Sequence, residues 1–461
     1  MTATTTPTEL LDRLATDLDG TLVRPTDPTW DEARRAWNLA VDQAPLAVVL
    51  AESVRDVQAV VTAAAQLGVR VAPQSTGHNA TPLGALSDTI LVRTSGMRGV
   101  AIDPERRTAR AEAGAQWMDV TPAAAKHGLA ALAGSAPDVG VAGYTLGGGL
   151  SWLGRSHGLA ANSVVAIEVV TADGALRHVD TETEPELFWA LRGGGGSFGI
   201  VTALEFRLYP VEEVHAGVLF FPIDRAAEVL QAWREWIQTV PETVTSVGRL
   251  LRFPPLPDLP PHLSGQSYVV VEAACQLSAD EADDLLAPLR ALGPAIDSFR
   301  RTPITELSAL HMDPNGPVPG LGDGMLLGEL PEAAVDAVAR LAAADLPLLS
   351  VELRHLGGRL APGRMAGGAV SGIDAGFALF AVGITPDEAA GKAVRSAVDA
   401  VLHAMAPWST GGCYLNFAES RKSPEALFGS AATYRRLQAV KAAYDPSDVV
   451  RANHPVAPAA G

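Results

Sequence analysis

A histidine that follows a glycine in a loop of small residues is the first feature of this sequence that could do chemistry. The stretch VAPQSTGHNA places His78 after Gly77 and surrounds both with turn-forming residues. Such residues expose backbone N–H groups that suit phosphates, and a neutral imidazole nitrogen is a nucleophile. The loop alone favours a surface histidine in an ordinary turn, so the rest of the chain decides its role.

Two further glycine-rich segments follow, GVAGYTLGGGLSWLGRSHGL at 140–159 and LRGGGGSFGIVT at 191–202. Gly194, Gly196 and Gly199 satisfy the pattern G-x-G-x-x-G. That pattern needs a following helix to bind a dinucleotide, whereas the alternating sequel IVTALEFRL predicts a strand. The three segments therefore favour a ligand with phosphates and a flat ring, held outside a Rossmann helix, and FAD fits this description.

Composition excludes several other classes of function. The chain has 461 residues, a formal net charge of −17 and only two cysteines, Cys275 and Cys413. An acidic surface disfavours nucleic acids and anionic membranes, and two cysteines exclude a disulfide framework. Walker A and HExxH motifs are absent and the histidines lack metal-ligand spacing, so we expect no metal site. The N-terminus has no secretory signal pattern, and we expect a cytoplasmic protein without a membrane span.

Hydrophobic patterning predicts a mixed α and β organisation. Residues 46–75 are typical of strand, helix and strand, with Ser53 at the helix start and Gly68 at its end. Hairpins are expected with turns at Asp103–Pro104 and Asp173–Gly174. Beyond Pro210, alternating and helical segments take turns, which favours a sheet covered on one side by helices.

Several ordered motifs together resemble one known family. They are ARRAWN (33–38), VAPQSTGHNA, AGSAPDVGVAGYTLGGGLSWLGRSHGLAANSV (133–164), VVTADG, LFWALRGGGGSFGIVTALEFRLYP, ELRHLGG (352–358), YLNF (414–417) and YDPSDVVRANHPV (444–456). The chain resembles the FAD-linked oxidases of the vanillyl-alcohol oxidase type, most closely the berberine-bridge-enzyme-like branch and its hydroxynicotine-oxidase-like members with a single flavin bond.

The resemblance implies an α+β fold in three parts. Residues 1–210 would form a non-Rossmann, PCMH-type FAD-binding domain of two α+β subdomains, with its core at about 42–212. Residues 211–410 would form a substrate domain with a mainly antiparallel sheet covered by helices. Residues 411–461 would return to complete the FAD domain.

The same resemblance assigns residues to the cofactor. It implies that the loop around His78 wraps the pyrophosphate and that His78 bonds covalently to the 8α carbon of the flavin. The expected FAD-binding residues are Gln74, Ser75, Thr76, Gly77, His78, Asn79, Val139, Gly140, Gly143, Thr145, Gly147, Gly148, Gly149, Gly199, Val201, Asn416 and Asn453.

Two positions depart from the family pattern at the cofactor. Many relatives have an arginine where Gln74 stands, so one positive charge near the phosphates is missing. Members with two covalent flavin bonds have a cysteine where this chain has Ala136, and neither Cys275 nor Cys413 lies at a matching position. The resemblance therefore implies one covalent link, through His78.

The catalytic base is the least determined part of the site. In related oxidases a tyrosine of a Y-x-N-Y segment has this role, and here Tyr414 matches the first tyrosine while Phe417 replaces the second. Tyr414 is our first candidate. The alternatives are Tyr144, His311 and two residues of one predicted strand, Glu352 and His355, each of which is equally compatible with a structural role.

The expected reaction is removal of a hydride from a carbon that bears oxygen or nitrogen, with electrons passed to O2 to give H2O2. A dehydrogenase with another acceptor and a flavin-binding protein with impaired catalysis are the alternatives. The expected partners are a small-molecule substrate and molecular oxygen, and the expected state is a monomer or homodimer.

Overall fold

A computed structural model describes residues 7–314, 316–344 and 346–459. In this structure the first half of the chain forms two sheets. In the first sheet β2, β4 and β3 are parallel and β1 is antiparallel at the edge. The second sheet is antiparallel, in the order β5-β6-β9-β7-β8. The strands are β1 Thr21–Val23, β2 Ala47–Leu50, β3 Arg70–Gln74, β4 Thr89–Arg93, β5 Val100–Asp103, β6 Thr108–Glu112, β7 Val164–Val170, β8 Leu176–Val179 and β9 Ile200–Arg207.

One helix, Val54–Leu67, packs against both of these sheets and begins and ends as its sequence predicts. The Ser53 hydroxyl accepts a hydrogen bond from the Asp56 N–H, and Asp56 accepts one from the Ser53 N–H in return. Gly68 ends the helix at φ 66°, a conformation that glycine adopts without strain. Strand β3 follows and carries the chain directly into the loop that contains His78.

The second half of the chain forms one antiparallel sheet, in the order β13-β10-β12-β11-β16-β17-β15, with β14 paired to β10. One face packs against helices and the other faces the first half of the chain. These strands are β10 Glu213–Pro222, β11 Val244–Arg252, β12 Ser267–Cys275, β13 Ile296–Asp297, β14 Arg300–Pro303, β15 Gly320–Leu327, β16 Ser350–His355 and β17 Phe377–Ile384.

The long α-helices pack in hydrophobic cores that they share with the sheets. Those between residues 226 and 405 share one core with the antiparallel sheet, built around Trp233, Leu286, Val338 and Val398. The helices are α1 Pro7–Asp17, α2 Trp30–Ala33, α3 Val54–Leu67, α4 Trp117–Ala125, α5 Val141–Leu146, α6 Gly154–His157, α7 Ala160–Ser163, α8 Pro185–Leu191, α9 Ala226–Trp236, α10 Ala279–Arg290, α11 Glu332–Ala343, α12 Glu388–Met405, α13 Pro424–Phe428 and α14 Ala431–Tyr444.

This architecture confirms the predicted fold class. The strand β9 that follows the glycine run explains why G-x-G-x-x-G does not form a Rossmann site. The large sheet is antiparallel in all its described pairs and is covered by α9–α12. Within the described ranges, none of the helices combines the length and apolar character that a membrane crossing requires.

The end of the chain returns to the first two sheets. The N–H of Val71 donates to the Val449 carbonyl, and the Arg451 N–H donates back to the Val71 carbonyl, at 2.8 Å each. Lys441 of α14 is fully buried, and its ammonium donates to the Ser197 carbonyl at 2.8 Å and pairs with the equally buried Asp445 at 2.5 Å. A charge-paired lysine therefore fixes the C-terminal segment against the glycine run before β9.

We predict that Lys441→Met destabilises the protein by about 3–5 kcal/mol, because it leaves the Asp445 carboxylate buried without its cation. Lys392→Met is the matched control, since Lys392 pairs with Glu388 at the same i,i+4 spacing on an exposed helix face. That control is expected to change stability by about 0.5 kcal/mol or less. Urea unfolding followed by circular dichroism measures both, and equal effects would contradict the structural role of the buried pair.

Candidate functional site

A cavity of about 430 Å³ lies between the two halves of the chain. One side is formed by the loop after β3 and by the glycine-rich segment around α5. The opposite side is formed by β11, β16 and β17 of the antiparallel sheet, and the segment after α12 closes it. The cavity thus joins parts of the chain that are up to 416 residues apart (Trp37 to Asn453).

The loop at residues 74–79 lies against the cavity, and several of its polar side-chain atoms are unpaired. Gly77 has φ 90°, and a Cβ there would come within 2.9 Å of Ala36 Cα, so glycine is required. The buried polar side-chain atoms of Gln74, Ser75 and Asn79, and Nε2 of His78, have no hydrogen-bond partner among the described residues.

Buried polar groups are normally hydrogen-bonded, so a row of unpaired ones beside a cavity indicates a polar ligand. Amide and hydroxyl groups next to an exposed glycine backbone are suitable partners for a diphosphate and for the polar edge of a flavin. The residues present therefore fit FAD. This is the group that the resemblance implies for the same loop.

His78 is held in a defined orientation. Its ring stacks on Trp37 with the ring centroids 4.0 Å apart, and Nδ1 lies 2.8 Å from the Thr76 hydroxyl. On the other side, Nε2 is 3.5 Å from Asp138 Oδ1, and Trp37 Nε1 donates to Asp138 Oδ2 at 2.6 Å. Burial opposes ionisation of Asp138, but the interaction with the nearby His78 ring and the hydrogen bond from Trp37 outweigh it and lower its pKa. The imidazole is therefore fixed beside a carboxylate.

The glycine-rich segment allows the C-terminal segment to approach closely. A Cβ at Gly147 would lie 1.9 Å from Asn416 Oδ1, so no other residue fits there. Asn416 Nδ2 donates to the Tyr144 carbonyl at 3.0 Å. The cavity wall at this point is therefore built from two segments that the sequence separates widely.

Tyr414 lies where these two segments meet. Its hydroxyl oxygen accepts hydrogen bonds from the N–H groups of Gly149 and Leu150 at 3.0 Å and from Asn416 Nδ2 at 2.9 Å. Burial raises the pKa of Tyr414 to about 12, although the three hydrogen bonds favour the phenolate. Tyr414 is therefore a neutral phenol near pH 7. Phe417, which takes the place of a second tyrosine, stacks on Phe380 at 4.7 Å.

Five charged residues form a buried network on the opposite wall, which we name the His311 cluster: Arg249, Glu272, His311, Glu352 and Arg354. His311 Nδ1 is 2.6 Å from Glu272 and Nε2 is 2.7 Å from Glu352. Arg249 pairs with Glu272 at 3.2 Å and Arg354 pairs with Glu352 at 2.9 Å. Each carboxylate thus joins the histidine to one arginine.

The cluster fixes the protonation state of His311. Burial and Arg249 lower the pKa of His311, but Glu272 and two further carboxylates, Asp313 and Glu352, outweigh them and raise it to about 9. Burial likewise opposes ionisation of Glu352, yet the positive charges of Arg354 and His311 hold its pKa below its usual range. His311 is therefore a cation near pH 7 and does not act as a base.

The structure brings most of the predicted site residues to this cavity. Those that line it are Gln74, Ser75, Thr76, Gly77, His78, Asn79, Val139, Gly140, Gly143, Gly147, Gly199, Val201, Asn416, Asn453, Tyr144, His311, Glu352 and Tyr414. Four others do not line it, namely Thr145, Gly148, Gly149 and His355. Gly149 still contributes, because its N–H donates to Tyr414.

His355 is outside the cavity because side chains alternate along a strand. Glu352 and Arg354 of β16 face the cavity, so His355 faces the other way. There its ring contacts the Arg155 guanidinium, with Nε2 2.7 Å from Nη1. Burial and the neighbouring Arg155 lower the pKa of His355 to about 3. His355 is thus a neutral structural group that cannot contact a ligand in the main cavity.

Several cavity residues were not among the predicted site residues. Arg354 shares a strand face with Glu352 at i,i+2 spacing, a signal that the sequence did contain. Glu419, two positions after Phe417, also lines the cavity and accepts a hydrogen bond from the Gly322 N–H. Burial raises the pKa of Glu419 to about 7, with the Asp323 carboxylate acting in the same direction. Nothing in the sequence indicated that burial.

The cysteines lie away from the His78 loop, whereas Ala136 lines the cavity. Cys275 is buried in the core between the antiparallel sheet and its helices. The Cys413 thiol donates to the Gly324 carbonyl at 3.2 Å, and burial raises the pKa of Cys413 to about 12. Neither thiol lines the cavity.

Comparison with known proteins agrees with this geometry. Residues 45–180 match the family described as "FAD binding domain", and residues 413–457 match the family described as "Berberine and berberine like". The chain is 28% identical over 459 residues to an uncharacterized FAD-linked oxidoreductase, YgaK of Bacillus subtilis, and the match covers 96% of this chain and 98% of that protein.

Two comparisons involve hydroxynicotine oxidases. The (R)-6-hydroxynicotine oxidase of Paenarthrobacter nicotinovorans is 34% identical over 199 residues, which cover 43% of each chain. The crystal structure of 6-hydroxy-D-nicotine oxidase from Arthrobacter nicotinovorans superimposes with a TM-score of 0.83 at 25% identity, over 95% of this chain and 98% of that one. The two family matches and the shared fold identify the chain as an FAD-linked oxidoreductase that is similar to the berberine-bridge-enzyme-like proteins.

Proposed function

We propose that this enzyme oxidises a small organic alcohol or amine at the carbon that bears oxygen or nitrogen and passes the electrons to O2, giving H2O2. The observation that supports the proposal is the single cavity that joins the His78 loop, Tyr414 and the His311 cluster. FAD, when bound, would supply the hydride acceptor. The protein residues would hold the cofactor on one wall and orient the substrate against it from the other.

We further propose that His78 is the only covalent attachment point of FAD. Stacking on Trp37 and the nearby Asp138 carboxylate orient the imidazole, and the unpaired Nε2 atom is available for a bond. Ala136 offers no thiol, and both cysteines lie in other parts of the protein. The expected cofactor-binding residues that line the cavity would bind the rest of FAD through backbone and amide groups.

Tyr414 and Glu419 have different parts in the proposed reaction. Tyr414 accepts three hydrogen bonds and keeps its own proton near pH 7, so we assign it to hydrogen-bond donation toward the substrate or cofactor. Glu419 lines the same cavity and is the better proton acceptor, because a base works best when its pKa lies near the operating pH. Glu352 is a weak base because two cations pair with it.

A dehydrogenase with another electron acceptor is the second candidate, and a flavin-binding protein with impaired catalysis is the third. The replacement of a tyrosine by Phe417 favours the third, whereas a proton acceptor at Glu419 favours an active enzyme. The cytoplasmic location and the monomeric or homodimeric state remain predictions from the sequence.

Peroxide release tests the proposed reaction directly. Purified protein is mixed with panels of secondary alcohols, amines and sugars, and H2O2 is followed by a peroxidase-coupled dye. A substrate that reduces the flavin and yields H2O2 in air is the expected result. Anaerobic bleaching of the flavin without peroxide in air would assign a dehydrogenase, and no bleaching with any panel would favour the binding protein.

His78→Ala is expected to release the cofactor on denaturation. Acid-precipitated wild-type protein should retain its yellow colour in the pellet, whereas the variant should leave FAD in the supernatant. His127→Ala is the matched control, because His127 is exposed and lies outside the cavity. Free FAD in the wild-type supernatant would refute the covalent link.

The pH dependence of kcat/KM separates the two candidate acid–base groups. Glu419 accepts a proton only when ionised, so the rate should rise with pH through about 7 and then level off. Glu419→Gln should remove this rise and lower the plateau rate about 100-fold or more. Tyr414→Phe should lower the rate but leave the rise where it is. A profile without a rise near pH 7 in the wild type would exclude Glu419 as the base.

A further inference from the structure

The hydrogen-bond capacity of the His311 cluster is unevenly used. Both oxygens of Glu272 and both oxygens of Glu352 accept charge-assisted hydrogen bonds within the cluster. The two guanidinium groups still have capacity, since none of the hydrogen bonds between described residues uses Nη2 of Arg249 or Nη1 of Arg354. Each carboxylate oxygen of this wall therefore already accepts a hydrogen bond, whereas two guanidinium nitrogens donate none.

The spare donors belong to cavity-lining residues. Arg249 and Arg354 both line the cavity, and their side chains are only 4% and 16% exposed. His311 donates from both of its ring nitrogens. Arg354 Nη2 lies 3.2 Å from His311 Nε2, so two donors face each other, and the negative charge of Glu352 offsets their repulsion. Within the cluster three cations therefore face two carboxylates, an excess of one positive charge.

One further carboxylate faces this region. Asp313 lines the cavity, and its Oδ2 accepts a hydrogen bond from the Ser135 hydroxyl at 3.0 Å. Asp313 forms no ion pair within 4.0 Å with either arginine among the described residues. With Asp313 included, three cations face three carboxylates and the charges balance, but the spare N–H groups of the two arginines remain unused.

An aromatic surface lies beside these donors. The Arg354 guanidinium carbon is 5.0 Å from the centre of the Phe417 ring, and Phe417 stacks on Phe380. Both phenylalanines line the cavity. An apolar or flat ligand body is well matched to this surface, and a charged end beside it is matched to the guanidinium groups.

We propose that the substrate carries a carboxylate, which binds to the spare N–H groups of Arg354 and Arg249 while its apolar body lies along Phe417 and Phe380. This inference rests on the proposed oxidation of an alcohol or amine in the same cavity and names the substrate class. Guanidinium groups form short, charge-assisted hydrogen bonds with carboxylates, often two in parallel. The two arginines are thus specificity-determining residues.

Binding of three matched probes tests the proposal without requiring turnover. Benzoate, benzamide and benzylamine are titrated into the purified holoprotein near neutral pH, with calorimetry and the flavin absorption spectrum as readouts. Benzoate is expected to bind more tightly than benzamide by a factor of about 10 or more. Charge-assisted hydrogen bonds are stronger than neutral ones, and the difference in free energy corresponds to about that factor in affinity. Equal binding of benzoate and benzamide would overturn the proposal, and preferential binding of benzylamine would overturn it and assign the wall to cations.

Substitutions of Arg354 test whether this residue is responsible for the preference for benzoate. Arg354→Gln should weaken benzoate about 10- to 100-fold while leaving benzamide within about twofold. Arg354→Lys, which keeps the charge, should recover part of the loss. Arg300→Gln is the matched control, because Arg300 is exposed on β14 and pairs with Glu306 outside the cavity. Unchanged benzoate binding in folded Arg354→Lys and Arg354→Gln would also overturn the proposal.

The failure of this inference is distinguishable from the failure of the proposed function. A protein that is yellow with bound flavin but does not bind benzoate contradicts only the proposal that the substrate carries a carboxylate. A colourless protein that binds benzoate more tightly than benzamide in calorimetry contradicts the flavin assignment but supports carboxylate binding by the two arginines. Thermal unfolding of each variant shows whether a lost affinity reflects a lost fold.

Discussion

The amide groups of Gly149 and Leu150 donate to the hydroxyl of Tyr414, and the geometry of the whole cavity follows from this contact. It ties the C-terminal segment to the glycine-rich segment, 264 and 265 positions earlier in the chain. Gly147 makes the contact possible, since a side chain there would collide with Asn416. The hydrogen bond of Lys441 to the Ser197 carbonyl and the backbone hydrogen bonds of Val71 add further attachments between the end of the chain and the first half.

The His311 cluster on the opposite wall buries charged groups, and removing them from water costs free energy. Desolvating five ionised groups costs several kcal/mol each unless they are paired and hydrogen-bonded, and an apolar core of similar volume is often as stable or more so. The His311 cluster therefore contributes little to stability that packing could not supply. A network of this kind beside a cavity is better explained by the ligand it recognises.

Much of the candidate site could be predicted because backbone chemistry leaves local signals. The capping pattern at Ser53 and Gly68, the strand that follows the glycine run and the loop around His78 all depend on residues close in sequence. The alternation along β16 was readable as well, and it would have separated Glu352 from His355. The pairing of Arg249 with Glu272, or the burial of Glu419, could not be read in that way, because each depends on strands that meet only in the folded sheet.

The sequence by itself determined the fold class, the resemblance to FAD-linked oxidoreductases and the loop that we expect to contact the cofactor, since these follow from hydrophobic periodicity, ordered motifs and glycine positions. Only the tertiary structure decided which side chains share the cavity. It turned His355 away, joined His311 to two carboxylates as a cation and left N–H groups of two arginines unused. Protonation and hydrogen-bond capacity depend on burial and on neighbours from distant segments, and sequence spacing does not specify either of them.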